Sequence, residues 1–281
     1  MDKIVIVDGS NLLFQMFYGM PARIVNRNGK SIQGTIGFVG ALLKIIRMLE
    51  PTHLVVVFDG EGENFRFQMD PDYKGTRVDY SQLPEEEVPF SQLPDIYDAL
   101  DMLGICHRET TNCEGDDWIA GYALRYKKEH EVVIVSQDSD FFQLIAENTH
   151  VLRYRGKHSV LCNIEYLQQK FGIYPEQYVD FKSLTGDTAD NMKGADKIGP
   201  KTAAILLKEY GTLEGILAGA ESIHKPSVRE SIFRNMERLR LNYRLIRLEG
   251  EAELPFALEE MAYCYKGETS TEVLRSTGVL P

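Results

Sequence analysis

The chain has 281 residues, 43% hydrophobic and 26% charged, which is enough to bury one large core with a smaller module beside it. Its apolar runs, such as Ile4 to Val7 and Leu54 to Phe58, are strand-sized, and no N-terminal stretch joins basic residues to a long apolar run. A secreted or membrane-spanning protein is therefore not expected, and a reducing cytoplasm is the natural compartment. Four cysteines without a CxxC pair and six scattered histidines speak against a zinc ribbon or a disulfide framework.

Lys3 to Asp8 and His53 to Asp59 are short β-rich runs that end in aspartate, and between them Gln33 to Leu49 has helical apolar spacing at Phe38, Leu42, Ile45, Ile46 and Leu49. This is a βαβ unit. A second follows, with Pro94 to Leu103 helical, Gly104 to His107 extended, Asp116 to His130 helical and Glu131 to Ser136 extended. The expected fold is α/β, a mostly parallel central sheet flanked by helices. The polar, proline-bearing stretch from about 61 to 94 has no sustained period and reads as a functional excursion. From Tyr178 to about Leu248 the pattern is helical, punctuated by Gly194, Gly199, Gly211 and Gly215, and the last thirty residues are weakly patterned. The expected division is a core over residues 1–177 and a helical region over 178–281.

The net charge of −11 is opposite to what a phosphate-rich partner calls for, but nine acids concentrate in a few motifs and leave the rest close to balance. VDGSN carries Asp8, FDGEG Asp59, CEGDDWIAG Glu114, Asp116 and Asp117, SQDSD Asp138 and Asp140, and TGDTADN Asp187 and Asp190. Singly, an aspartate after a strand is most often a turn former or helix cap. Together they read differently, because parallel strands bring Asp8, Asp59 and Asp138 to one edge of the sheet, where such folds bind ligands. Each like-charge pair near 4 Å costs about 4 kcal/mol at an effective dielectric near 20, so a cation must sit among them. Carboxylates without histidine or thiolate favour Mg²⁺ or Mn²⁺, and two such ions suit phosphodiester hydrolysis. Asp116 and Asp117 fall in the first turn of a helix, and Asp187 and Asp190, three apart, are expected on one face of a helical turn.

The order VDGSN, FDG, YKGTR, EGDD, SQDSDFFQL, TGDTADN and GADKIGPKTA resembles the 5' nuclease family, which includes bacteriophage flap endonucleases and the N-terminal domain of bacterial DNA polymerase I. The likeness runs from Asp8 to about Tyr210. It implies that Asp59, Glu114, Asp116 and Asp117, with Asp8 behind them, hold a first metal and that Asp138, Asp140, Asp187 and Asp190 hold a second. It assigns Asp59, Asp116, Asp138 and Asp140, with Lys74 and Arg77, to catalysis. Lys74 and Arg77 would neutralise the scissile phosphate from a helical arch or clamp, where Tyr73 would join them in binding DNA, with Arg66 nearby. GADKIGPKTAAILL resembles a helix-hairpin-helix over about 187–210. Its glycine-rich turn and the helix opening at Pro200 would grip duplex backbone through Lys197, Gly199, Lys201 and Thr202, with K⁺ at loop carbonyls including that of Ile198.

The resemblance thus implies a monomeric, metal-dependent hydrolase cutting DNA at 5' flaps or 5' ends, including RNA–DNA primer junctions, in primer removal and repair. Two other readings compete: a structure-specific DNA-binding protein that does not cut, and a PIN-like ribonuclease. The glycine of EGDD stands where relatives usually have alanine, and LPEEEVPFSQLP after Arg77 is unusually acidic for an arch. The chain also ends without room for a polymerase, so a separate polypeptide is expected.

Overall fold

The computed structural model describes residues 1–27, 29–60, 65–76 and 78–281. The first half runs β1 (Lys3–Asp8), α1 (Gly9–Gly19), α2 (Gln33–Leu49), β2 (His53–Phe58), α3 (Phe65–Met69), α4 (Leu93–Met102), β3 (Cys106–Glu109), α5 (Gly115–Tyr126), β4 (Glu131–Val135), β5 (Thr149–Arg153) and β6 (Val160–Cys162). These strands form one sheet in the order β3-β2-β1-β4-β5-β6, with β6 alone antiparallel to its neighbour. The mostly parallel sheet predicted from the sequence is therefore present.

Strand alternation divides the core into two layers. Ile4, Ile6, Val55, Val57, Val132 and Ile134 point to the side covered by α5 and the C-terminal helices. Val5, Val7, Leu54, Val56, Val133 and Val135 point to the side where α2 lays down Phe38, Leu42, Ile45 and Ile46. Strands apolar at every position are what a parallel sheet buried on both faces requires. The chain builds outward from β1 through β2 to β3 and then returns to β4 on the other side of β1. The reversal leaves a crevice beyond the carboxyl ends of β1 and β4.

The second half runs α6 (Ile164–Phe171), α7 (Tyr178–Thr185), β7 (Gly186–Asp187), β8 (Met192–Lys193), α8 (Pro200–Tyr210), α9 (Leu213–Ala218), α10 (Pro226–Ile246) and α11 (Ser270–Ser276). The pair β7–β8 is an antiparallel hairpin, where the sequence led to helical segments broken only by glycines. Asp187 ends β7 and Asp190 lies in the turn after it, so the two do not share a helical turn. Gly186 is the cause: its φ of 79° ends α7, and a Cβ there would lie 2.4 Å from the amide nitrogen of Gly194. Helix α5 also stops four residues before the predicted His130, and β3 lies about two residues later than expected.

The last thirty residues return to the sheet. The Tyr263 amide donates to the Thr52 carbonyl at 2.8 Å, and Val273 and Leu274 of α11 are buried beside α2 and α4. Between α3 and α4 the described residues form three short 3-10 turns at Tyr80–Gln82, Glu85–Glu87 and Pro89–Gln92. Residues 61–64 and Arg77, on which part of the expected arch and one expected catalytic group fall, lie outside the described residues.

Candidate active site

Asp8 is the last residue of β1 and the N-cap of α1, where one carboxylate oxygen accepts from the Asn11 amide at 2.9 Å and the other from the Ser136 hydroxyl at 2.8 Å. Asp59 follows β2 and accepts from the Gly115 amide at 2.7 Å, while its own amide donates to Ser10 Oγ. Gly115 makes this approach close, since a Cβ there would sit 3.1 Å from Asp59 Oδ1. Asp116 lies in the first turn of α5. Asp138 lies three residues past β4, its amide donating to Ser136 Oγ and its carboxylate accepting from the Asp140 amide at 2.8 Å.

Asp8, Asp59, Asp116 and Asp138 line one cleft of about 480 Å³ together with Lys74, and Phe14, Val78, Tyr80 and Phe90 form its apolar wall. The cleft opens at the sheet reversal. Burial, then the neighbouring charges of Asp59 and Asp138, push the Asp8 carboxyl up to about 7. Burial and Asp138 raise Asp116 well above the usual carboxylate range. The four carboxylates that line the cleft are hard oxygen donors, the type that suits a divalent cation, and such an ion would relieve both the repulsion and the desolvation.

Glu114 and Asp117 face the base of the irregular stretch instead. The Arg66 guanidinium, 1% exposed, donates to Asp117 Oδ1 at 2.8 Å and Oδ2 at 3.0 Å, to Glu114 Oε2 at 3.0 Å and, through Nε, to the Leu245 carbonyl at the end of α10. The Lys74 ammonium pairs with Glu114 Oε1, and the buried Tyr73 hydroxyl stands 3.5 Å from Glu114 Oε2. Lys74 adopts φ 56° and donates its amide to the Asp190 carbonyl at 3.1 Å, and Asn191 Nδ2 reaches the Asp72 carbonyl at 2.9 Å. These bonds fasten residues 66–76 to the turn of the β7–β8 hairpin.

Asp140 and Asp187 come together around a residue that the sequence reading missed. Lys182, on the buried face of α7, places its ammonium against Asp140 Oδ1 and 2.6 Å from Asp187 Oδ2. Burial pushes Asp140 up to about 7 despite the lysine, whereas Lys182 holds Asp187 below the usual carboxylate range. A lysine inside the apolar run FKSL was the signal available in the sequence. Lys182 and Asp187 also line a neighbouring cleft of about 530 Å³, together with Lys193 and Arg238. Asp190 is buried in the hairpin turn. Among the described residues no three acidic, histidine or cysteine side chains stand at ligating distance from one another; cationic groups separate several of the acids.

The predicted backbone grip is a turn between the hairpin and α8. Lys197 has φ 65°, Ile198 is buried with its amide on the Ala195 carbonyl at 3.1 Å, and Gly199 caps α8 without a side-chain bond. Lys197, Gly199 and Lys201 are exposed and Thr202 is half-buried, so the first amides of α8 open outward. Helix α10 braces the turn through Ser231 Oγ, which donates to the Asp196 carbonyl at 2.6 Å, and through Asn242 Nδ2, which reaches the carbonyls of Ser183 and Lys193.

Residues 3–172 match the family model of the 5'-3' exonuclease N-terminal resolvase-like domain, and residues 173–268 that of the 5'-3' exonuclease C-terminal SAM fold. The chain is 33% identical over 275 residues to the thermostable DNA polymerase I of Thermus aquaticus, covering 98% of this chain and 31% of that one. It is 35% identical over 268 residues to DNA polymerase I of Rhizobium leguminosarum, covering 92% and 26%. It thus spans a third or less of the length of these curated relatives. In fold it is similar to the bacteriophage T5 D15 flap endonuclease in a pseudo-enzyme-product complex with DNA and metal ions, with a TM-score of 0.72 at 21% identity over 88% of this chain and 89% of that one. The catalytic core of Rad2 in complex with DNA substrate follows at 0.59 and 17%, over 98% and 93%. With both halves of the molecule matched in order, and with acids at the strand ends where the fold places a ligand, the chain belongs to the 5'-3' exonuclease family.

Proposed function

We propose that this nuclease uses Mg²⁺ or Mn²⁺ to hydrolyse DNA phosphodiesters at 5' flaps or 5' ends, as primer removal and repair require. One observation carries the reading: four carboxylates, from the end of β1, the residue after β2, the first turn of α5 and the loop after β4, line a single cleft beside a lysine. Divalent ions bound there would supply a hydroxide from water and stabilise the leaving oxygen. Asp59, Glu114, Asp116 and Asp117, with Asp8 behind them, would hold the first ion and Asp138, Asp140, Asp187 and Asp190 the second; Asp138, which lines the cleft with Asp8, Asp59 and Asp116, would stand between the two. Ser136 and the Asn11 amide orient Asp8, and the Gly115 amide orients Asp59, so the acids are held before any ligand arrives. Lys74 would turn from Glu114 to the scissile phosphate and balance charge as the bond breaks, and Arg77 is assigned the same role by the family likeness.

In this reading residues 1–177 form the catalytic core, and residues 178–281 add Asp187 and Asp190 to it and supply the grip. The exposed amides of α8 with Lys197, Gly199, Lys201 and Thr202 would hold duplex backbone away from the cleft, and K⁺ at loop carbonyls, that of Ile198 among them, would add charge there. Cleavage of end-labelled flap, nicked, blunt and single-stranded substrates, each with and without chelator, tests the proposal. The expected result is chelator-sensitive release of products bearing a 5'-phosphate from flap and nicked DNA. Binding without cutting in every divalent metal, or cutting confined to RNA, would overturn it.

A further inference from the structure

The second acid group already contains a cation. Lys182 is 6% exposed, and its ammonium touches Asp140 and Asp187, which come from a turn after β4 and from the hairpin after α7. Burying an ammonium costs free energy unless opposite charges surround it, and here two carboxylates do. The pairing is built into the fold: Lys182 sits one turn from the end of α7, and the Gly186 turn brings Asp187 back beside it. The cation of the first cleft is held differently. Lys74 reaches it from the irregular stretch and pairs with Glu114, and Arg66 pairs with Glu114 and Asp117, leaving Asp8, Asp59, Asp116 and Asp138 facing the cleft.

We propose that Lys182 is a positioning residue that stands in for the second divalent ion, so that this chain binds one ion tightly in the first cleft and takes up another only when the Lys182 ammonium leaves Asp140 and Asp187. The inference rests on the metal-dependent reading above. Its consequence is an asymmetry in ion affinity: the second ion must displace an ammonium paired directly with its ligands, whereas the ion pair of Lys74 at the first cleft is with Glu114 and not with the four acids that line it. The neighbouring cleft, which Lys182 also lines, offers the displaced ammonium a place beside incoming phosphate.

Titration of the whole chain with Mn²⁺, followed by calorimetry and by the electron paramagnetic resonance of free Mn²⁺, tests this on the wild type and on Lys182→Met. The wild type should bind one ion tightly and a second at least about tenfold more weakly; Lys182→Met should keep the first affinity and tighten the second about tenfold or more. Unchanged or weakened second-ion binding in the variant would overturn the inference while leaving the first site standing. Absence of Mn²⁺ binding to both proteins would overturn the metal reading and this inference with it. Should Lys182→Met not fold, the Nζ resonance of Lys182 in the wild type answers the same question. It should stay slowly exchanging with solvent while the first Mg²⁺ binds and lose that protection as the second does; protection kept at saturating Mg²⁺ overturns the inference.

Discussion

The acids at the strand ends and the acids around the β7–β8 hairpin are held by different means. Asp8 and Asp59 accept from backbone amides and a serine hydroxyl on neighbouring elements, so the sheet itself aims them into the cleft. Asp140 and Asp187 are drawn together by the Lys182 ammonium. Neutral donors orient a carboxylate and leave its charge available to a ligand, whereas a buried lysine cancels that charge. The contrast separates acids whose charge is left open to a ligand from acids already engaged by a buried cation.

Four experiments press on that contrast. The largest effect is expected from Asp116→Asn, which removes a first-cleft oxygen anion and should lower cleavage roughly 10²–10³-fold, a loss of about 3–4 kcal/mol in transition-state stabilisation. The same change removes a buried charge repelled by Asp138, so the melting temperature of the metal-free protein should rise; a fall in both would mean that Asp116 serves structure first. Arg66→Met comes next. It leaves Glu114 and Asp117 without their guanidinium, and chemical denaturation should show about 3–5 kcal/mol less stability, the cost of breaking a buried pair.

Acidity affects both groups. Asp8 and Asp140 keep their protons up to about pH 7 in the folded chain but only to about 3.8 when unfolded. The folded state therefore binds more protons across that interval, so the stability these two groups contribute is complete below about pH 4 and is lost as pH rises through 7. Thermal melts of metal-free protein should drop between pH 5 and pH 8. Excess Mg²⁺ should recover more of the loss at pH 8 than at pH 5, because carboxylates must shed their protons to bind it. Equal recovery at both values would deny the ion a place among these acids. The smallest effect belongs to Gly115→Ala, which would press its Cβ to 3.1 Å from Asp59 Oδ1. Cleavage should change by less than about tenfold and stability by about 1 kcal/mol or less, because helix propensity offsets the contact. A larger loss of activity would show that Asp59 has no freedom to shift.

The strands and the acids at their ends were legible because alternation and turn chemistry act over a few residues. Val5 and Val7 pack on one layer and Ile4 and Ile6 on the other, so a run apolar throughout already means a strand covered on both faces. Helix α2 was recovered to the residue for the same reason, since its apolar stripe at Phe38, Leu42, Ile45 and Ile46 is local and long. The β7–β8 hairpin was hidden because two residues per strand carry no period, and its determinant is the close approach of Gly186 to Gly194, eight positions apart. Arg66 was placed near the site by family likeness, but its bonds to Asp117 and to the Leu245 carbonyl join residues 51 and 179 positions away.

The sequence alone determined the mostly parallel sheet and the inventory of nine acids, since periodicity and residue type are properties of the chain itself. Which acids share a cleft, which are neutralised from within, and that Lys182 rather than a polar neighbour stands between Asp140 and Asp187 were decided by the tertiary structure. Charge compensation depends on distances of a few ångströms between segments far apart along the chain, and only packing sets those distances.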